Sequence, residues 1–151
     1  MKKLIRDNYQ TIINPKKLKK ANSQELREFV LNKIVEESNE VLENLNNQEN
    51  PLEELADLLE ILEFFGIKFC SQEIVAIEQK NNLKPKILIN EIIKQAQKIK
   101  NSNVNNLNNF QNLFSKLVSS LEINLKDIFL VKKEKESTKG GFDLGLILTL
   151  D

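Results

Sequence analysis

The sequence predicts an all-α protein, an antiparallel helical bundle with short extended segments near both ends. Apolar residues recur at three- and four-residue steps through most of the chain, and helix-capping residues separate those stretches. Strand-like alternation is confined to the two ends. A length of 151 residues suits one domain, which we assign to residues 1–151.

Capping residues define most of the predicted helices. Asn22 followed by Glu25 resembles a capping box and opens the first apolar stripe. Pro51 suits the first turn of a second helix, and Gly66 suits its end. A third helix is expected from Ser71 to the asparagines at 81 and 82. The full set of predicted helices is 23–45, 51–65, 71–81, 86–100, 107–122 and 124–136.

The two ends differ from this helical pattern. Residues 3–7 are expected to be extended, and the basic stretch 16–20 that follows is expected to be mobile. Three of the four glycines lie within residues 140–145, and apolar residues follow them. Such clustering indicates backbone with positive dihedral angles or a close approach to a ligand. We therefore treat 137–151 as a glycine-rich closing tail.

Composition narrows the chemistry that the chain can perform. Lysine plus arginine and aspartate plus glutamate number 22 each, so no overall field favours an anionic partner. The absence of histidine and the single cysteine exclude imidazole bases, imidazole ligands and an internal disulfide. Charges interrupt the first residues too early for a signal peptide, and no long apolar run follows. We expect a cytoplasmic protein with no membrane partner that works through carboxylates, lysines and water.

A weak internal repeat appears when the chain is shifted by 58 residues. Residues 30–35 then align with 88–93 in their apolar pattern. Either chance similarity of amphipathic helices or a decayed tandem copy explains the alignment; if it is chance, the later helices are an insertion. A decayed copy would divide the chain into a metal-binding half, 22–82, and a degenerate half, 86–136. The acidic residues Glu37, Glu40, Glu54 and Asp57 align with Gln95, Lys98, Asn112 and Ser115.

Those four acids form two pairs at helical spacing, Glu37 with Glu40 and Glu54 with Asp57. A single pair of this kind is usually a solvated helix face. Glu37, however, occupies a position that the apolar stripe assigns to the core, and Glu54 is likewise in register with apolar residues. Buried acids persist when a lysine or a cation neutralises them. Ligands that are all oxygen suit Mg²⁺, or alternatively Mn²⁺.

Four segments in order carry a resemblance to a known family. They are Lys3-Leu4-Ile5-Arg6-Asp7, residues 33–40, residues 53–60 and Lys139-Gly140-Gly141-Phe142. Together they resemble the successive blocks of the phosphoribosyl-ATP pyrophosphohydrolase-like branch of the MazG-type all-α nucleoside triphosphate pyrophosphohydrolases. The match covers about residues 1–80 and 125–148. Short members of that family lack the helices in between.

The resemblance implies a Mg²⁺-dependent enzyme that cleaves a nucleoside triphosphate, or a related phosphoribosyl nucleotide, between the α and β phosphates. It implies that Glu37, Glu40, Glu54 and Asp57 are metal ligands, with Glu37 also counted as catalytic. Glu36 or Glu60 would be the general base, a choice that the sequence leaves open. Candidate substrate contacts are Lys33, Lys135, Lys139, Gly140 and Gly141. Family members commonly form helical dimers, so we expect a homodimer or a pseudo-dimeric monomer.

Two other functional classes compete with the enzyme. A helical nucleotide-binding or protein-interaction module on the same scaffold would keep the acids without turning a substrate over. An RNA-associated role would use the basic stretch 16–20. The balanced charge and the scarcity of exposed aromatic candidates argue against nucleic acid.

Overall fold

The computed structural model describes residues 1–67, 69, 84–102 and 107–150. Within them it contains five α-helices, which confirms the all-α class. The helix predicted at 71–81 lies outside the described residues. No helix in the described ranges is both long and apolar enough to cross a membrane. The helices are α1 Ser23–Asn46, α2 Leu52–Phe65, α3 Pro85–Ser102, α4 Leu107–Ser120 and α5 Leu125–Lys139.

The predicted caps account for the helix boundaries. Asn22 Oδ1 accepts a hydrogen bond from the Glu25 amide at 2.9 Å and begins α1. Gly66 adopts the left-handed conformation, with φ of 117°, and ends α2. Asn124 Oδ1 accepts from the Lys126 amide at 3.0 Å at the start of α5. Each side-chain cap satisfies a backbone donor that the first helical turn leaves without a partner.

A small antiparallel sheet joins the two ends of the chain. Its strands are β1 Lys2–Ile5, β2 Leu18–Lys20 and β3 Leu146–Thr149, in the order β1-β3-β2. The extended terminal segments are therefore as expected. Within the basic stretch that was expected to be mobile, residues 15–17 form a 3₁₀ turn and 18–20 pair with β3.

The core lies where α1 packs against both α2 and α3. Helix α4 packs on α3, and α5 packs on α2. The shifted alignment has a physical counterpart here, since Val30, Leu31 and Ile34 are buried and so are the aligned residues Leu88, Ile89 and Ile92. Burying each such side chain stabilises the fold by about 1.5–3 kcal/mol relative to leaving it exposed.

Candidate metal and phosphate site

Three acids of α1 form the tightest carboxylate cluster among the described residues. Glu36, Glu37 and Glu40 each offer an oxygen, and these oxygens lie within 4.8 Å of one another. Helical geometry explains the grouping, because positions 36 and 37 each precede position 40 by about one helical turn. Glu37 is buried, Glu36 is half-buried and Glu40 is exposed. The cluster thus contains two of the four predicted ligands together with a predicted general base.

Glu37 occupies the most unusual environment of the three. Its Oε1 atom lies 3.2 Å from Lys33 Nζ, while its buried Oε2 has no hydrogen-bond partner within the described chain. Burial raises the pKa of Glu37 to about 8; Lys33 opposes this shift, whereas the charges of Asp57 and Glu40 add to it. At neutral pH this carboxyl group is therefore mostly protonated unless a cation neutralises it.

Asp57 reaches the same cavity from α2, but cations occupy both of its oxygens. Arg6 Nη2 lies 3.0 Å from Oδ1, and Lys135 Nζ lies 2.8 Å from Oδ2. Glu54, the other predicted ligand on α2, is not among the described residues that line this cavity. It lies in the first turn of α2, where a carboxylate is stabilised by the helix dipole.

We call this space the α1–α2 cavity. It has a volume of about 250 Å³ and is formed by α1, α2, α5 and the segments that follow β1 and precede β3. The predicted phosphate contacts Lys33, Lys135 and Lys139 all line it, and Lys3 and Arg6 add two cations. Carboxylates and cations therefore line the same cavity.

Arg6 is the residue that ties the site to both ends of the chain. Its side chain is 9% exposed, and it forms ion pairs with Asp57 and Glu60. Its Nη1 donates to the Gly140 carbonyl at 2.9 Å, and its guanidinium lies 5.1 Å from the centre of the Phe142 ring. Burial acts to lower the pKa of Arg6, but the two carboxylates outweigh burial and raise it.

Glu60 lies on the other side of this arginine, away from the acid cluster. It lines an adjoining cavity of about 540 Å³ with Phe64, Lys132 and Phe142. Burial raises the pKa of the Glu60 carboxyl, although the Arg6 hydrogen bond and charge oppose the rise. The two predicted bases are thus separated: Glu36 faces the α1–α2 cavity, and Glu60 faces its neighbour.

The glycines of the tail have identifiable backbone roles. Gly140 has φ of +76°, and a Cβ atom there would lie 2.8 Å from Asn8 Oδ1. Its carbonyl accepts from Arg6, and the Gly141 carbonyl accepts from the Asp7 amide at 2.8 Å. Both glycines therefore dock the tail on the segment after β1, and Gly141 also lines the adjoining cavity.

Comparison with known proteins gives no match. No protein-family model, curated protein or solved structure matches the chain. The residues and their geometry therefore carry the functional argument.

Sequence reasoning did not assign roles to Lys3, Arg6 or Tyr9, which also line the α1–α2 cavity. Arg6 belongs to the first of the four family-like segments, but the sequence does not indicate what its side chain contacts. The signal that would reveal those contacts is non-local, since Arg6 contacts Gly140 across 134 positions.

Proposed function

We propose that the protein is a Mg²⁺-dependent nucleoside triphosphate pyrophosphohydrolase that yields a nucleoside monophosphate and pyrophosphate. The observation that carries this proposal is the cluster of Glu36, Glu37 and Glu40 beside several cations in one cavity. Carboxylates hold a hard divalent ion, and lysine and arginine hold phosphate oxygens. The resemblance of four segments to MazG-type enzymes supports the same reaction.

The donor set suits the proposed ion. All three side chains offer oxygen, and the buried Oε2 of Glu37 has no hydrogen-bond partner in the described part of the chain. Glu37 and Glu40 are the ligands we assign first. Asp57 becomes a further ligand if a polyphosphate draws Lys135 away from its Oδ2 atom. When bound, Mg²⁺ or Mn²⁺ would neutralise phosphate charge and make water more acidic.

Each remaining residue has a role that its contacts support. Lys135 and Lys139 come from the end of α5 and bind the phosphates, together with Lys3. Glu36 accepts the proton of the attacking water. The water oxygen bonds to phosphorus as the bond to the bridging oxygen breaks, and pyrophosphate leaves with that electron pair. Glu60 is the less suitable base, because Arg6 binds it on the side of the adjoining cavity.

The test is an assay of purified protein with canonical and modified nucleoside triphosphates in Mg²⁺. Separation of the products by ion-exchange chromatography distinguishes monophosphate plus pyrophosphate from diphosphate plus phosphate. Glu37→Gln should lower kcat/KM by about 100-fold or more, since it removes a ligand charge. Glu43→Gln, on the exposed face of the same helix, is the matched control and should retain activity.

If no substrate releases pyrophosphate, the proposed enzymatic activity is contradicted. Equal activity of wild type and Glu37→Gln would also contradict it.

One observation favours a second candidate, a nucleotide-binding module without turnover. Arg6 and Lys135 already neutralise Asp57, and Lys33 lies 3.4 Å from Glu36 and 3.2 Å from Glu37. The acids can therefore be stable without a metal ion. Calorimetric binding of a triphosphate in Mg²⁺, combined with no product in the assay, would favour this module over the enzyme.

A further inference from the structure

A second polar cavity lies between α3 and α4. We call it the α3–α4 cavity; it has a volume of about 390 Å³. Three lysines and one glutamate supply its charged lining, and amide side chains supply further hydrogen-bonding groups. The lining residues relevant here are Glu91, Lys94, Gln95, Lys98, Asn112 and Lys116.

This cavity occupies the position that corresponds to the α1–α2 cavity. Helix α3 packs on α4 as α1 packs on α2. A shift of 58 residues carries four α1 residues of the first cavity onto four α3 residues of the second. The pairs are Lys33 with Glu91, Glu36 with Lys94, Glu37 with Gln95, and Glu40 with Lys98.

At three of the four equivalent positions the charge becomes more positive, whereas at the fourth Glu91 stands where the first cavity has Lys33. Lysines stand where the first cavity has Glu36 and Glu40, and an amide stands where it has Glu37. Glu91, the one acid among the described lining residues, lies 3.5 Å from Lys94 Nζ, and both side chains are exposed. An exposed pair of this kind is weak, so an anion with more charge can displace it.

We propose that the α3–α4 cavity binds a diphosphate or triphosphate group without a divalent ion. Lys94, Lys98 and Lys116 supply the positive charge, and Gln95 and Asn112 supply amide donors. The described residues that line this cavity include no carboxylate cluster to hold a cation, so we assign it a ligand that binds without metal. This site does not depend on the proposed catalytic activity, because it uses different residues and different chemistry.

The experiment is isothermal titration calorimetry of the full chain with inorganic pyrophosphate in EDTA. Wild type should bind, and Lys94→Glu/Lys98→Glu should bind at least about tenfold more weakly, because two charge-assisted contacts become repulsive. Glu91→Gln should bind more tightly. Parallel titrations with ATP and with adenosine distinguish a free pyrophosphate site from a nucleotide site.

Two controls separate this site from general charge effects and from the first cavity. Lys84→Glu/Lys86→Glu makes the same charge change at exposed positions near the start of α3 and should bind as wild type does. Lys135→Gln removes a phosphate contact of the α1–α2 cavity, and the binding component that needs Lys94 and Lys98 should persist in this variant. Circular dichroism verifies that each variant is folded.

Three results would overturn the proposal. They are no binding of either polyphosphate in EDTA, binding of adenosine as tight as that of ATP, and loss of binding in Lys135→Gln but not in Lys94→Glu/Lys98→Glu. None of these results bears on the hydrolysis assay, which depends on Mg²⁺ and Glu37.

Discussion

The α1–α2 and α3–α4 cavities have the same helical framework, but α1 contributes mainly acids to the first and α3 contributes mainly lysines to the second. Apolar positions correspond in burial, as Ile34 and Ile92 show with no exposed surface at either. Polar positions instead change from Glu36 and Glu40 to Lys94 and Lys98. The comparison shows that a buried stripe sets where two helices pack, while a few residues beside it set which ion the groove attracts.

The two cavities also differ in what closes them. The α1–α2 cavity is lined by residues of β1, by Arg6 after it and by Phe142 before β3. The described residues that line the α3–α4 cavity all belong to α3 and α4. The predictions that follow test this difference in closure and in charge.

The largest effect is expected from removing Arg6. Arg6→Met leaves Asp57 and Glu60 without their shared partner, so the free energy of unfolding should fall by about 3–5 kcal/mol. Urea denaturation in EDTA measures it. Lys2→Met, at an exposed position of β1, is the control. Equal stability of Arg6→Met and wild type would show that Arg6 does not hold the closure together.

The pKa of Glu37 predicts a pH effect on metal binding. The ion requires the ionised carboxylate. As pH increases toward about 8, Mn²⁺ affinity should therefore rise roughly tenfold per pH unit, and above about 8 it should level off. Calorimetry in buffers of different ionisation enthalpy detects the released proton. Glu37→Gln should bind weakly with little of this slope. A flat profile in wild type would place the ion elsewhere.

Glu37 also makes the stability of the metal-free protein depend on pH. This stability falls as pH rises, whereas metal affinity increases. Its folded pKa is raised from 4.5 to about 8, so the folded state binds more protons between these values. Its contribution to stability is fully present below pH 4.5 and is lost as pH rises through about 8.

A smaller effect is expected at the tail. Gly140→Ala places a Cβ 2.8 Å from Asn8 Oδ1 and 3.1 Å from the Asn8 amide nitrogen in a conformation that side chains rarely adopt, so stability should fall by about 1–3 kcal/mol. Gly141→Ala is the matched control, because its Cβ would meet nothing within 4 Å. Thermal unfolding measures both variants. Equal losses of stability in the two variants would mean that the backbone conformation and close packing of Gly140 are not needed to dock the tail.

The smallest effect is expected from converting the second cavity into a copy of the first. Lys94→Glu/Gln95→Glu/Lys98→Glu restores the three-acid pattern of α1 and should add a second Mn²⁺ site. That site should be about tenfold weaker than the first or worse, because Ser115 replaces Asp57 there. Titration followed by electron paramagnetic resonance counts the sites. An unchanged stoichiometry would show that the α1–α2 site needs more than the acids of one helix.

Local signals predicted much of this fold. Capping at Asn22 and Gly66 depends on neighbouring residues, so sequence alone located those helix ends. The sequence did not predict strand β2, because its three residues, 18–20, are too few to show alternation. Its partner strand β3 is also far away in the sequence. Loop closure over such a distance leaves no local pattern.

The candidate site was also predicted only in part, because local patterns indicate some of its residues and long-range contacts bring in the others. The apolar stripe placed Glu37 at a core position, and it is 7% exposed. The stripe did not reveal that Glu36 joins the cluster, since that depends on side-chain direction. It also did not reveal that Arg6 and Lys135 bind Asp57, since those residues arrive from β1 and α5.

The pairing of β1 with β3 has a consequence for the order of folding. The acids of α1 leave the ribosome well before Lys135 and the glycine tail, and Arg6 cannot bind Gly140 until the tail has been made. Hairpins of neighbouring helices can form from local contacts, whereas this closure joins residues more than 130 positions apart. We therefore expect the α3–α4 cavity to form first during synthesis and the α1–α2 cavity to be completed only after the tail has docked.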